Sequence, residues 1–422
     1  MNKLIKSLLK TKTDFLKTWG LSMSPLLKSD DIIYFKKTNF SRLKINDIIL
    51  VKKGGKLFTH RIIYKNNKYL ITKGDNNLES DGKIYPKQIV GKVYQVKRNG
   101  KIFDPENLYL VQSSLYFQET IKIKNAFEKE NIDHVFLKGL PLHLYYEKTQ
   151  PKKIYADCDV LIDKKSFLKA EKILIQNGYK KTKTNLSKTH DQIKNKEVEN
   201  AYIKIINGFR VVFDLHLEPA FMMTQLGKLE VLYPQKLIDQ LTEKLLKTKR
   251  KVKINNEKFL ILNTNYLILY LSLHLFHHNF RGAFRYDFLD KVIRISARQK
   301  PAADLRGQLW IGIAAQIYKF KLQTFVYPVF ILLKKYYQTP VPNSFLKSIR
   351  PINPLIRELV NKIIKNCSIF DDELRIQAGI IRFKNLFFLS PQPLWKKVFI
   401  FINPQVIYSV FWVVYNRLFR RK

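Results

Sequence analysis

Three aspartates, Asp157, Asp159 and Asp214, lie in two short apolar runs, Asp157-Cys158-Asp159 and Phe213-Asp214-Leu215-His216. Residues i and i+2 of an extended strand share a face. Asp157 and Asp159 therefore point one way and Cys158 the other, and Asp214 shares a face with His216. Carboxylates on adjacent strands can hold hard divalent cations, Mg²⁺ or Mn²⁺, which take oxygen ligands and bridge substrate phosphates. Upstream, Leu137-Lys138-Gly139 ends an apolar run just before a helix start, where backbone N–H groups and a lysine cation meet a phosphate. A single D-x-D is as readily an ordinary strand end; the ordered trio behind Leu137-Lys138-Gly139 favours a metal site. A second set lies nearer the N-terminus. Ser22 sits in a turn before Pro25, Thr59-His60-Arg61 opens a strand, and Lys73-Gly74-Asp75-Asn76-Asn77 is followed by Asp81.

The order L-K-G, D-x-D, D-L-H resembles the nucleotidyltransferase superfamily, and within it an uncharacterised family, over about residues 105–390. That resemblance implies a nucleoside triphosphate substrate and Mg²⁺ or Mn²⁺. Asp157 and Asp159 would hold the ions that bridge the triphosphate. Asp214 would complete the site and deprotonate an acceptor hydroxyl, and Lys138 with Gly139 would meet the phosphates. His216 matches the pattern too, but a histidine packed at a strand end explains it as well.

The boxes around Ser22, His60 and Asp75–Asp81, with Ile89-Val90-Gly91-Lys92-Val93 after them, resemble the signal peptidase family in its Ser/His branch, over about residues 18–98. The resemblance implies a small curved β fold with Ser22 as nucleophile and His60 as general base. Asp81 would orient His60, and Asp75 would support the site. Members of that family usually carry an N-terminal membrane helix. Met1–Gly20 is basic and amphipathic, with no uninterrupted apolar core. With a triphosphate-using partner domain, a cytoplasmic location and a cytosolic peptide or protein substrate are expected.

The elements that must position these residues follow from patterning. Residues 31–35, 47–51, 60–64, 69–72, 88–96 and 101–103 read as strands, with a hairpin signal at Asn99-Gly100. Asp104-Pro105 marks a boundary. A helix over 110–128, a strand over 134–137, a helix from Pro141, a helix over 166–178 and a hairpin on Asn207-Gly208 follow, the last bringing Asp214 beside Asp157. Beyond residue 260 only helices are expected. His274 and His278 have the spacing of a zinc-protease helix, but Leu275 stands where its glutamate belongs, so packing or nucleotide contact is preferred. Arg281, Arg285 and Asp287 are placed in the same cleft.

The result is a multidomain chain: an amphipathic segment (1–19), a small all-β domain (20–103), an α+β core (104–259) and a helical C-terminal region (260–422). At 422 residues and 46% hydrophobic content, several packed cores are affordable and a largely disordered chain is excluded. The net charge of +42 is spread along the chain and mostly lysine, so dedicated nucleic-acid binding is not expected. The basic runs 180–196 and 244–258 read as loops or solvated faces. Two cysteines, Cys158 and Cys367, build neither a disulfide framework nor a zinc site. Residues 398–415 are uncharged and followed by arginines, which fits a buried terminal helix or peripheral contact with a membrane. Two functional alternatives stay open: a transferase whose β domain only grips a peptide, and a binding partner with both sites vestigial.

Overall fold

The computed structural model describes residues 15–24, 26–148, 155, 157–182, 199–219, 221–223, 229–298, 303–372, 375–404, 406–408, 411 and 415. Most of the expected amphipathic segment and most of the basic run 180–196 lie outside the described residues.

The first domain is an antiparallel sheet of β1 (Phe15–Lys17), β2 (Ile32–Lys36), β3 (Ile48–Lys53), β4 (Lys56–Lys65), β5 (Leu70–Lys73), β6 (Lys83–Ile84), β7 (Ile89–Arg98) and β8 (Lys101–Phe103). Its order is β1-β2-β7-β3-β4-β5-β6, with β8 on β7. Alternate residues of β3 feed two separate cores: Ile48 and Leu50 pack with Met23, Ile33 and Val96, while Ile49 and Val51 pack with Ile62, Leu70 and Ile84. Both faces of the strand are thus covered, and register shifts at Tyr34/Phe35, Leu50/Val51 and Ile62/Tyr64 bend the sheet around them.

The second sheet contains β9 (His134–Phe136), β10 (Cys158–Ile162), β11 (Lys180–Lys181), β12 (Glu199–Ile206), β13 (Phe209–His216), β14 (Arg250–Ile254) and β15 (Glu257–Ile261), in the order β11-β12-β13-β10-β9-β15-β14. Helix α1 (Pro105–Lys129) leads into it, capped by Asp104, whose side chain accepts from the Glu106 N–H at 2.7 Å, with proline in the first turn. The β12–β13 hairpin turns on Asn207 and Gly208, both at positive φ, as a tight two-residue turn requires. Helices α2 (Leu140–Glu147), α3 (Phe167–Gln176) and α4 (Gln235–Lys247) flank the sheet, and one core runs from it into the C-terminal helices.

One expectation needs correction. The run 244–258 is no loop: beyond the end of α4 it forms β14 and much of β15, burying Val252, Ile254 and Phe259 and sending Lys251 and Lys253 outward. β15 carries the sheet through Ile261. After Ile261 the regular elements are helical among the described residues. Near the C-terminus, Leu394, Trp395, Phe399, Phe401 and Ile402 are exposed, while Ile400 and Val406 are buried in the main core. No helix among the described residues is long and apolar enough to cross a membrane.

The two domains are packed together. Tyr109 of α1 completes the first β core, and Tyr64 of β4 donates to the Tyr336 carbonyl at 2.7 Å while its ring meets Phe370 at 5.0 Å.

Candidate active sites

β4 carries His60, whose neighbours along the strand point to the other face. Its Nδ1 lies 2.7 Å from Asp81 Oδ2 and its Nε2 lies 3.0 Å from Ser22 Oγ. A carboxylate only accepts, so the ring proton sits on Nδ1 and Nε2 is left to accept from the serine hydroxyl. Asp81 also accepts from Thr72 Oγ1 at 2.7 Å, and its own N–H is fixed by the Thr72 carbonyl at 2.8 Å. Ser22 is held in turn, since its carbonyl accepts from the Asn76 N–H at 2.8 Å. Gly74 is needed here because a Cβ at that position would come within 2.6 Å of the Ser22 carbonyl oxygen. The arrangement is a hydroxyl, a base and an orienting carboxylate in hydrogen-bond series, the geometry of an activated nucleophile.

Asp75, expected to support this site, does not touch His60. It forms a bidentate pair with Arg61, at 2.7 and 2.5 Å, on the opposite side of β4. Arg61 also donates to the Asn46 carbonyl and lies over the Tyr109 ring at 5.0 Å. Asp75 therefore fixes the 73–77 turn and the seam with α1. Thr72 was not anticipated, because nothing in its sequence neighbourhood marks it as a partner of Asp81.

On the second sheet, β10 and β13 pair in parallel with Asp159 directly opposite Asp214. Asp159, Asp214 and His216 bring one ligand atom each to within 4.8 Å of one another. Asp157 lies just before β10, where Lys138 Nζ reaches it at 3.0 Å and Asp159 at 3.2 Å. Lys138 and Gly139 cross beside β10. Gly139 has φ 107°, and a Cβ there would press on the Asp157 carbonyl and Cys158, so only glycine lets the chain pass into α2. From α5 (Thr264–His277), the Tyr270 hydroxyl donates to Asp159 Oδ2 at 3.3 Å. Tyr270 was not foreseen, although its four-residue spacing from His274 marks one helix face.

The electrostatics of this site are unbalanced. Burial works against ionisation of Asp159, but Lys138 and His216 outweigh it and hold the carboxyl down at about 2. Burial and the neighbouring Asp159 charge push Asp214 up to about 8. His216 is lifted to about 9, because Asp159 and Glu199 overcome the cost of burying its charge. Oδ1 of Asp159 and Oδ1 of Asp214 are both buried without a hydrogen-bond partner among the described residues. Paired carboxylates with orphaned oxygens and hard-donor chemistry fit a divalent cation. Of the expected ligands, Asp159 and Asp214 face each other, while Asp157 is engaged by Lys138.

A family model described as an uncharacterised nucleotidyltransferase matches residues 106–338. The chain belongs to that family. The match begins in α1, so the first β domain lies outside it, and it includes Lys138, Asp157, Asp159, Asp214, His216 and Tyr270. No curated protein and no solved structure matches the chain.

Proposed function

We propose that this protein is bifunctional: a Mg²⁺- or Mn²⁺-dependent nucleotidyltransferase whose β domain is a serine peptidase acting on the same peptide or protein. The orphaned buried oxygens of Asp159 and Asp214 carry the first half of the reading, and family membership supports it. Asp159 and Asp214 would hold the cation, with Asp157 adjacent; once bound, it supplies charge neutralisation at the triphosphate. The acceptor oxygen forms its bond to the α-phosphorus as the bond to pyrophosphate breaks, and its proton passes to a carboxylate. Asp214 takes that proton only when ionised, the form that the bound cation favours over the protonated one that its buried, acidic surroundings favour without it. Lys138 faces the departing phosphates.

The Ser22–His60–Asp81 series carries the second half. Ser22 Oγ adds to a peptide carbonyl while His60 Nε2 takes its proton and returns it to the leaving amine. Asp81 keeps the other nitrogen protonated and the ring aligned. Water then releases the acyl group. Trp19 and Leu21, exposed beside Ser22, offer apolar purchase for a peptide. That observation equally favours a β domain that only grips its substrate. Use of a nucleoside triphosphate puts both sites in the cytoplasm, and the exposed Leu394–Ile402 apolar side chains fit peripheral contact with an anionic membrane.

A fluorophosphonate probe separates the peptidase from the gripping module. Labelling lost in Ser22→Ala and in His60→Ala supports an activated serine, and equal labelling of the three proteins ends that reading. For the transferase, divalent-dependent release of pyrophosphate from a nucleoside triphosphate is expected, and its persistence in Asp159→Asn would remove the metal site from the mechanism.

A further inference from the structure

Asp81 is held in place from two directions. From within the sheet, its N–H donates to the Thr72 carbonyl at 2.8 Å and its carbonyl accepts from Lys53 Nζ. The residues leading into it are held from a point 291 positions along the chain. Ser80 donates to Asp371 Oδ1 from its N–H at 2.9 Å and from its Oγ at 2.7 Å. The Leu78 carbonyl accepts from the Asp372 N–H at 2.7 Å, and Lys73, at the end of β5, pairs with the Asp372 carboxylate. Phe370 lies against Tyr64, which β4 carries four residues beyond His60. Phe370, Asp371 and Asp372 follow the helix Pro354–Asn366, and all three lie beyond the residues of the family match.

This segment is itself anchored. Ile369 is buried in the main core, and its carbonyl accepts from the Gly282 N–H at 3.0 Å. Ser368 Oγ donates to Asp371 Oδ2 at 2.6 Å, and the Asp371 carbonyl accepts from Arg281 at 3.3 Å. Burial works against the Asp371 charge, but the Ser368 and Ser80 hydrogen bonds and the Arg281 charge hold its carboxyl below the ordinary value. An ionised carboxylate that accepts three hydrogen bonds, on an element rooted in the core, is a rigid fixture.

On the reading of Ser22, His60 and Asp81 as an activated series, we infer that Asp371 is a positioning residue of the serine site: it fixes the backbone from which Asp81 reaches His60. Residues 74–80 are turns and bends outside the ladder, so the strands do not set their path. Their course is set at one end by Asn76, whose N–H holds the Ser22 carbonyl, and at the other by Ser80 on Asp371. Asp81 Oδ2 then meets His60 Nδ1 at 2.7 Å while still accepting from Thr72. Misplacing a catalytic group by about 1 Å costs on the order of 10²-fold in rate. Asp371 acts through Ser80 and Asp81 rather than on His60 itself, and the β domain thereby draws part of its reactivity from the C-terminal region.

The experiment uses the full-length protein and two readouts. One is the rate of fluorophosphonate labelling. The other is the downfield proton resonance of His60 Nδ1–H in histidine-labelled protein, which reports the hydrogen bond to Asp81 whether or not the serine reacts. Asp371→Ala is expected to slow labelling about tenfold or more and to lose the resonance to exchange with water. Asp371→Asn keeps an oxygen for the Ser80 N–H and Oγ and is expected to restore most of both. Where Asp371→Ala fails to fold, as thermal melts will show, Ser80→Ala removes the Oγ bond from the other side and should slow labelling a few-fold. Unchanged labelling and an unchanged resonance in variants that melt normally overturn the positioning role. So does an Asp371→Asn protein that melts like the wild type yet labels as slowly as Asp371→Ala. A wild type that takes no label but shows the resonance, lost in Asp371→Ala, removes the peptidase reading and supports the positioning of His60.

Discussion

The serine site and the carboxylate site are built on opposite electrostatic plans. In the first, the donors and acceptors run in an unbroken series from Thr72 through Asp81 and His60 to Ser22. In the second, two carboxylates face each other across paired strands, each with a buried oxygen that has no hydrogen-bond partner among the described residues. A satisfied network is rigid and ready as it stands. A frustrated one stores repulsion that a ligand relieves, and its affinity for that ligand is the measure of the repulsion. On the proposed reading, the same chain carries one site that is finished by folding and one that is finished by binding.

The sharpest way to break this comparison is at Asp81. Asp81→Asn presents His60 with a donor or the wrong tautomer, and the rate of fluorophosphonate labelling should fall on the order of 10⁴-fold. Next comes Asp75, which separates scaffold from chemistry. Asp75→Asn leaves Arg61 buried without its counter-charge, so the protein should lose about 3–5 kcal/mol of stability in denaturant titrations. The pH profile of labelling should stay where it was, because Asp75 does not touch His60; a shifted profile would put Asp75 inside the catalytic series.

The carboxylate site makes its own prediction through pH. Asp214 holds its proton in the folded protein up to about 8, far above the ordinary aspartate value of 3.8. Between those two values the native state binds more protons than the unfolded one, so this group's contribution to stability falls as pH rises through the window. A cation needs the ionised carboxylate. Mn²⁺ affinity should therefore climb about tenfold per pH unit toward 8 if Asp214 alone releases a proton, as one-proton linkage requires. A slope of two would show that His216 also gives up its proton and joins the ligands, and a flat profile would break the contrast between the sites. The smallest effect is expected at Thr72. Thr72→Val removes one hydrogen bond to a charged acceptor, worth about 1.5 kcal/mol, and should slow labelling about tenfold without changing its pH midpoint.

How much of this was legible in the sequence differs between the sites. Asp159 and Asp214 could be placed together because alternation fixes which way a strand residue points and the Asn207-Gly208 turn fixes the register of β13. The Ser22–His60–Asp81 series was legible as ordered boxes, but the division of labour between Asp75 and Asp81 was not. It depends on which side of β4 each loop residue reaches, and periodicity does not extend into a loop. The β14–β15 hairpin was hidden by its lysines, although Val252 and Ile254 alternate with them around Asn255-Asn256 as a half-buried strand should. Tyr270 comes from a helix far along the chain, where only tertiary packing decides which face meets the sheet.

The pairing of Ile261 with Phe136 also sets an order of assembly. At about 5–20 residues per second, synthesis separates these two positions by on the order of ten seconds. Ser22, His60, Thr72 and Asp81 are all made before β9 begins, and their strands pair with near neighbours. Through the whole interval β9 has an open edge where β15 will lie, and such an edge is a template for pairing with another chain. A nascent chain thus has its serine triad in hand while the carboxylate sheet is unfinished, and slow translation between residues 137 and 257 is when it is most exposed to aggregation.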